Sequence, residues 1–204
     1  MNSASGPGIG LRIEQTNSNI HNLWRADLVC PVERPPICDG AVLTRGGRIE
    51  AVGLAAEVRP KGFPFIERNF GKAVLVPGLV NAHTHIELSG IDAERVPMAE
   101  WIVDLVRETR GWSSHLFLSS SRIGAVALLS SGVTCVGDIS ASGYSREILS
   151  LLGLRGVVFR EVLGLIPSEA DSIVLQKLIS TNGADGVSRE SEILRDGVSP
   201  HAPY

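Results

Sequence analysis

Short apolar runs alternate with amphipathic stretches along most of the chain. Up to residue 72 the runs are short, β-rich and separated by turn residues, and Arg45-Gly46-Gly47 predicts a tight hairpin. Beyond residue 72, apolar runs typical of buried strands are followed by stretches with helical periodicity. The clearest stripe consists of Met98, Trp101, Ile102, Leu105 and Val106. The pattern therefore predicts a small β-module followed by alternating strands and helices.

The predicted elements fall into two groups on either side of residue 73. The first group has four strands: Trp24–Val32, Ala41–Thr44, Arg48–Val52 and Phe65–Phe70. The second group has strands at Ala73–Val80, Val133–Ile139, Gly156–Val162 and Gly197–Pro200, and helices at Met98–Val106, Ser119–Ser130, Ser145–Leu152 and Ser168–Ile179. Strands that alternate with helices predict a parallel sheet with helical crossovers.

Polar side chains follow these strands where each one ends, as in a (β/α)₈ barrel, whose site lies at the carboxyl ends of its strands. A complete barrel needs about 250 residues, and only four strands are visible here. We therefore expect an α/β fold, a partial (β/α)₈ TIM-type barrel with the first four β/α units. The expected organisation is a flexible leader (1–22), a β-module (23–72) and the barrel half (73–204).

Composition excludes several classes of partner. The chain has 204 residues, 44% of them hydrophobic, and a net charge of −3, which suits a globular protein and gives no basic patch for nucleic acid. No apolar stretch approaches the roughly 20 residues of a membrane helix, and the N-terminus lacks the pattern of a signal peptide. Three scattered cysteines do not form a disulfide framework. We therefore expect a cytoplasmic protein.

His83-Thr84-His85 is the most informative motif. Residues two apart on a strand point the same way, so the two imidazoles should project side by side about 6–7 Å apart along the strand. That spacing suits two nitrogen ligands of one divalent metal ion. The alternative is that both histidines are ordinary surface residues near a strand end.

Three segments resemble the metal-dependent amidohydrolase superfamily. AVLVPGLVNAHTH (73–85) resembles its first-strand signature, and SPHAPY (199–204) resembles a signature of its chlorohydrolase and aminopurine or aminonucleoside deaminase branch. GVTCVGD (132–138) resembles the second-strand segment of that branch. The leading β-module matches the flanking β-sandwich domain of the same enzymes, and HTHIELS (83–89) is similar to the aminodeoxyfutalosine deaminases.

The resemblance implies a hydrolase that acts on non-peptide C–N bonds, with one Zn²⁺ or alternatively Fe²⁺. Its first-strand metal ligands would be His83 and His85. A metal-activated hydroxide would deaminate an aminated purine, nucleoside or related ring. His201, Arg160 and Glu87 would contact this small-molecule substrate.

Each of these residues also has a plainer interpretation. His201 could instead be a metal ligand or lie at the surface or in the core, and Arg160 could form an ion pair with Glu161 or another acid. Glu87 could be a solvated carboxylate at the start of a loop. Asp138, at the end of a strand, could orient a ligand histidine or cap the following turn.

The sequence contains only part of the expected site. The resemblance implies a later His-X-X-Glu motif and a final Asp, and the first of these occurs nowhere in the chain. We therefore expect no catalytic residue within these 204 residues and little activity from this chain alone. The alternatives are a cyclic-amide hydrolase of the same superfamily, or an inactive truncated remnant that serves as an interaction module. The unpaired strand edges of a half-barrel would favour a homodimer.

Overall fold

The computed structural model describes residues 20–92, 96–162, 172 and 193–201. Its chain divides into two compact units, one ending at Pro77 and the other beginning at Gly78, slightly beyond the predicted boundary. Each unit has its own sheet. None of the helices in these ranges has the length and apolarity that a bilayer crossing requires.

The first unit is built on a mixed five-stranded sheet in the order β3-β2-β1-β4, with β5 also paired to β1. β1 pairs antiparallel with β2 and parallel with β4 and β5. The elements are β1 (His21–Val29), β2 (Ile37–Arg45), β3 (Arg48–Leu54), α1 (Ala55–Val58), β4 (Phe65–Asn69) and β5 (Val74–Leu75). The predicted β-module is confirmed, whereas its assignment as a sandwich stays a prediction.

The predicted hairpin joins β2 to β3. Gly46 and Gly47 form a two-residue loop, and their φ angles are 55° and 75°. Positive φ at both positions defines the turn whose twist matches that of the flanking strands, and glycine adopts it without steric cost. The sequence therefore identified this turn correctly.

The second unit is built on four parallel strands in the order β6-β7-β8-β9. Its elements are β6 (Leu79–Thr84), a 3₁₀ turn (Ile86–Leu88), α2 (Met98–Thr109), α3 (Ser114–Ser130), β7 (Val133–Ser140), α4 (Ser145–Leu151), β8 (Arg155–Val162) and β9 (Leu194–Pro200). The predicted parallel order is confirmed. Closure into part of a barrel stays a prediction.

The core of the second unit lies between this sheet and its helices. Val136 and Val158 from the strands are buried in one cluster with Ala125 of α3 and Leu149 of α4. Ile86, in the 3₁₀ turn, belongs to the same cluster. We call the side of the sheet that carries Val136 and Val158 the helix face.

Several predicted boundaries are wrong. The run 73–80 is not one strand, because β5 pairs with β1 of the first unit and β6 begins only at Leu79. β1 begins at His21, inside the predicted leader, and residues 1–19 lie outside the described ranges. The helix predicted over 168–179 also falls outside them, apart from residue 172. α3 begins five residues earlier than predicted, at Ser114.

The apolar stripe of α2 is less buried than its periodicity predicts. Trp101, Ile102 and Leu105 are half-buried, but Met98 is 71% exposed and Val106 is 51% exposed. The prediction that this stripe packs the helix is therefore wrong at the two ends of the stripe.

Gly156 fixes the contact between β7 and β8. It lies opposite Val136 in the register of the two strands, and its φ is 143°. A Cβ atom at this position would lie only 1.8 Å from the Val136 carbonyl oxygen, so no larger residue fits without backbone movement. Gly153, in the preceding loop, also has a positive φ of 72°, but open space surrounds the position of its missing Cβ.

Alanine substitutions at these two glycines distinguish the cost of a steric clash from the cost of backbone strain alone. Gly153→Ala should lower the free energy of unfolding by about 1–2 kcal/mol, the cost of a left-handed backbone for a residue with a Cβ. Gly156→Ala should cost about 3 kcal/mol or more, because the strands must also move apart. Urea denaturation of both variants measures the difference, and equal losses would contradict the clash.

Candidate functional site

Two imidazoles lie side by side at the end of β6. The ring centroids of His83 and His85 are 5.3 Å apart, and the ring planes meet at 67°. His83 is exposed and His85 is half-buried. The Asn81 side-chain oxygen accepts a hydrogen bond of 3.2 Å from the His83 backbone N–H and so braces this strand end. The structure places the pair as its spacing predicts, and the metal-ligand role stays a prediction.

Strand alternation puts this pair on the side of the sheet opposite the helix face. Thr84 lies in register with Asp138, and Asp138 lies in register with Val158, which is buried beneath the helices. Successive side chains on a strand point to opposite faces. β6 is irregular between Asn81 and Thr84, but His85 lies between Thr84 and Ile86, and Ile86 belongs to the core beneath the helices. His85 therefore projects from the other side, which we call the histidine face, and the His83 ring lies beside the His85 ring.

Glu161 and His201 also belong to the histidine face. Glu161 lies opposite Ser199 in the register of β8 and β9, and His201 follows Ser199 by two residues. The two side chains therefore share a face, and Glu161 Oε1 lies 2.6 Å from His201 Nδ1. The His201 backbone N–H donates to the Val162 carbonyl oxygen at 2.9 Å, which extends the pairing of the two strands by one step.

Glu87 is buried in the 3₁₀ turn that follows the histidine pair, and it holds the loop that follows β7. Its carboxylate accepts hydrogen bonds from the Ser140 hydroxyl at 2.7 Å and from the Ser142 hydroxyl. It also accepts from the backbone N–H groups of Ala141 at 2.7 Å and Ser142 at 3.3 Å. Glu87 is only 2% exposed, so it is not the solvated carboxylate that the sequence left as an alternative. Both of its oxygens accept hydrogen bonds from the protein, and its predicted substrate contact stays a prediction.

Asp138 is a second buried acid next to the same turn. Its pKa is raised to about 6, mainly by burial, and the nearby charge of Glu87 acts in the same direction. Asp138 Oδ1 accepts a hydrogen bond of 2.9 Å from the Ile86 backbone N–H. This bond and the Ser145 hydroxyl favour the charged form of the Asp138 carboxyl group and so act to lower its pKa. Asp138 Oδ2 has no regular hydrogen-bond partner among the described residues. Asp138 therefore anchors the turn after His85 through its backbone.

Arg160 lies on the helix face, two residues beyond Val158. Its guanidinium packs against Gly143 so closely that a Cβ there would lie 1.3 Å from Arg160 Nη1. Arg160 lines a cavity of about 660 Å³ together with α4 and the loop before it. The structure does not bring Arg160 to His83 and His85, so its predicted substrate contact stays a prediction. Glu161, its predicted alternative partner, contacts His201 on the opposite face.

The donor set fits part of a metal site. His83 and His85 offer imidazole nitrogens, which are common ligands of Zn²⁺, and their rings lie close enough for one ion to bind both. Within the described ranges, no group of three or more His, Cys, Asp or Glu side chains is placed to hold a metal ion. The pair therefore fits two positions of a coordination sphere that needs further ligands.

Sequence reasoning missed the contact between Glu161 and His201. It considered this acid only as an ion-pair partner for Arg160, its neighbour in sequence. The alternation of side chains along β8 distinguishes Glu161 from Arg160, because adjacent residues on a strand face opposite sides of the sheet. Counting from the buried Val158 would have placed Glu161 with the histidines and Arg160 with the helices.

Asp138 should make stability depend on pH. Its pKa is about 6 when folded, against an ordinary 3.8, so between these values the folded state holds a proton that the unfolded state has lost. The free energy of unfolding should therefore fall as pH rises from about 4 to 6, by about 3 kcal/mol, and stay lower above that. Asp138→Asn should remove this decline.

Urea denaturation at pH 4, 5, 6 and 7 measures the effect. Asp104→Asn is the matched control, because Asp104 is exposed on α2. The same decline in wild type and Asp138→Asn would contradict the assignment.

Deaminases are among the known proteins similar to this chain. An aminodeoxyfutalosine deaminase from Deinococcus radiodurans is 30% identical over 169 residues, which cover 81% of this chain and 38% of that protein. The structure of Helicobacter pylori aminofutalosine deaminase in complex with methylthio-coformycin superposes with a TM-score of 0.70 at 25% identity. That match covers 90% of this chain and 44% of the other.

A third similarity bears on the fold. An adenosine deaminase from Xanthomonas campestris, solved with bound zinc, has a TM-score of 0.71 and 24% identity, and the match covers 90% of this chain and 43% of that one. The chain thus spans about two fifths of the length of the proteins it resembles.

The family model described as "Amidohydrolase family" matches residues 74–203, which is more than half of the chain. The histidine pair, the parallel sheet and this match agree, and the chain belongs to the amidohydrolase family.

Proposed function

We propose that the enzyme to which this chain contributes is a metal-dependent hydrolase that deaminates an aminated purine nucleoside. In this reaction water replaces an amino group on a ring carbon, the C–N bond breaks and ammonia leaves. The observation that carries the proposal is the His83–His85 pair at a strand end, on the face that also carries Glu161 and His201.

The named relatives support the reaction class. The Deinococcus radiodurans and Helicobacter pylori proteins are both deaminases, and the second was solved with methylthio-coformycin. An adenosine-like small molecule is therefore the substrate class we propose. The cytoplasmic location and the homodimer expected from the sequence stay predictions.

His83 and His85 would hold the metal, for which Zn²⁺ is our first candidate because imidazole nitrogens suit it well, and Fe²⁺ is the alternative. The ion would supply an activated water as the nucleophile. The protein's own contribution is to fix the two imidazoles. Asn81 braces the strand before them, and Asp138 and Glu87 hold the turn after them.

His201 would contact the substrate from the neighbouring strand ends. Its ring lies on the histidine face, its side chain is 40% exposed, and its backbone is tied to Val162. A ligand that sits over these strand ends could therefore reach it. Arg160 lies on the helix face, and its predicted substrate contact stays a prediction.

The metal proposal is tested by replacing each imidazole. His83→Ala and His85→Ala should each weaken Zn²⁺ binding by the chain at least about tenfold, since even residues that merely orient metal ligands can have effects of that size. His115→Ala is the matched control, because this exposed histidine lies on α3. Competition with a chromogenic chelator measures the affinities, and unchanged Zn²⁺ affinity in both histidine variants would refute the ligand assignment.

The reaction is tested with the product of the complete gene. We expect ammonia release from adenosine, 5′-methylthioadenosine or a related purine nucleoside, and its loss in His83→Ala. A panel that includes cyclic amides and chloro-triazines distinguishes the alternatives. Hydrolysis of a cyclic amide without any deamination would overturn the proposed reaction while leaving the metal assignment intact.

A further inference from the structure

We propose that Glu161 is a positioning residue that fixes the tautomer of His201, so that Nε2 of this histidine is a hydrogen-bond acceptor. The proposal starts from one contact, the 2.6 Å between Glu161 Oε1 and His201 Nδ1. The Glu161 side chain is 13% exposed and that of His201 is 40% exposed. The acid is thus the more enclosed partner, and the imidazole is the one that reaches towards solvent.

The chemistry of the two groups determines where the proton lies. An ionised carboxylate can only accept hydrogen bonds, so a contact of this length requires the proton on Nδ1. A neutral imidazole carries one N–H, and its other nitrogen then holds a lone pair. Glu161 therefore selects the form of His201 in which Nε2 accepts a hydrogen bond.

The backbone prevents the pair from rearranging easily. Val162, next to Glu161, accepts a hydrogen bond from the His201 N–H, so the main chains of both residues are joined at this point. The register Glu161–Ser199 places the carboxylate and the imidazole on the same face. Arg160 projects from the other face and is poorly placed to compete for the Glu161 carboxylate.

The consequence concerns what kind of ligand group His201 can recognise. A lone pair on Nε2 selects an N–H or O–H donor and disfavours a bare carbonyl or carboxylate oxygen. The amino group of an aminated purine is such a donor, and this last identification rests on the proposed function. The tautomer itself does not depend on it.

Long-range ¹H–¹⁵N NMR of the ¹⁵N-labelled chain tests the proposal directly. At pH about 8.5, well above the ordinary imidazole pKa of about 6.5, the cross-peak pattern distinguishes Nδ1–H from Nε2–H. In the wild type we expect the Nδ1–H form of His201 in at least about tenfold excess, because the acceptor is charged. Glu161→Ala should abolish this excess and shift His201 to the Nε2–H form that free imidazole side chains prefer in water.

The first unit supplies a matched control. His21 Nε2 lies 3.1 Å from Glu50 Oε2, so His21 should show the opposite tautomer, and Glu50→Ala should alter His21 without altering His201. His201→Asn assigns the His201 signals. An Nε2–H form of His201 in the wild type would overturn the proposal even if Glu161→Ala did not fold.

Persistence of the Nδ1–H form in folded Glu161→Ala would overturn it as well. Neither result depends on metal or on turnover, so the outcome is independent of the proposed function. An Nδ1–H form of His201 in the wild type, lost in Glu161→Ala, would support the inference even if the complete enzyme released no ammonia from any nucleoside.

Discussion

The alternation of side chains along four parallel strands is the constraint on which the second unit depends. Val136 and Val158 go to the helix face and form a core with α3 and α4. The same alternation sends His85 and His201 to the other face, and the irregularity of β6 between Asn81 and Thr84 leaves the His83 ring beside that of His85. Core side chains and candidate site side chains therefore project from opposite faces of the same strands. A slip of one residue in any strand would exchange a core side chain for a site side chain.

This constraint explains how much the sequence could predict. Strand order, parallel pairing, the hairpin at Gly46-Gly47 and the adjacent imidazoles depend on local pattern, and local pattern was sufficient. The assignment of residues 74–75 to the first unit depends on pairing with a strand some 45 residues earlier, which periodicity cannot reveal. The exposed ends of the α2 stripe likewise depend on what packs against that helix.

The acids near the histidine pair show a different limit. Glu87 and Asp138 have the residue types of a polar site, yet both are buried and accept hydrogen bonds from loop and turn backbone. Residue type alone cannot distinguish a carboxylate that faces a ligand from one that organises the chain beneath it. The position of the hydrogen-bond donors distinguishes the two cases. For Glu87 these donors lie in the loop Ser140–Ser142, more than 50 residues later in the chain.

Gly156 has a consequence for how inactive variants of this family member should be interpreted. It carries no functional group, but its absent side chain allows β8 to lie against the Val136 carbonyl. The alignment of Glu161 with His201 depends on where β8 lies. Under the proposed function, a screen for lost activity would therefore recover this glycine together with the histidines, although the glycine would report on strand geometry and the histidines on metal binding.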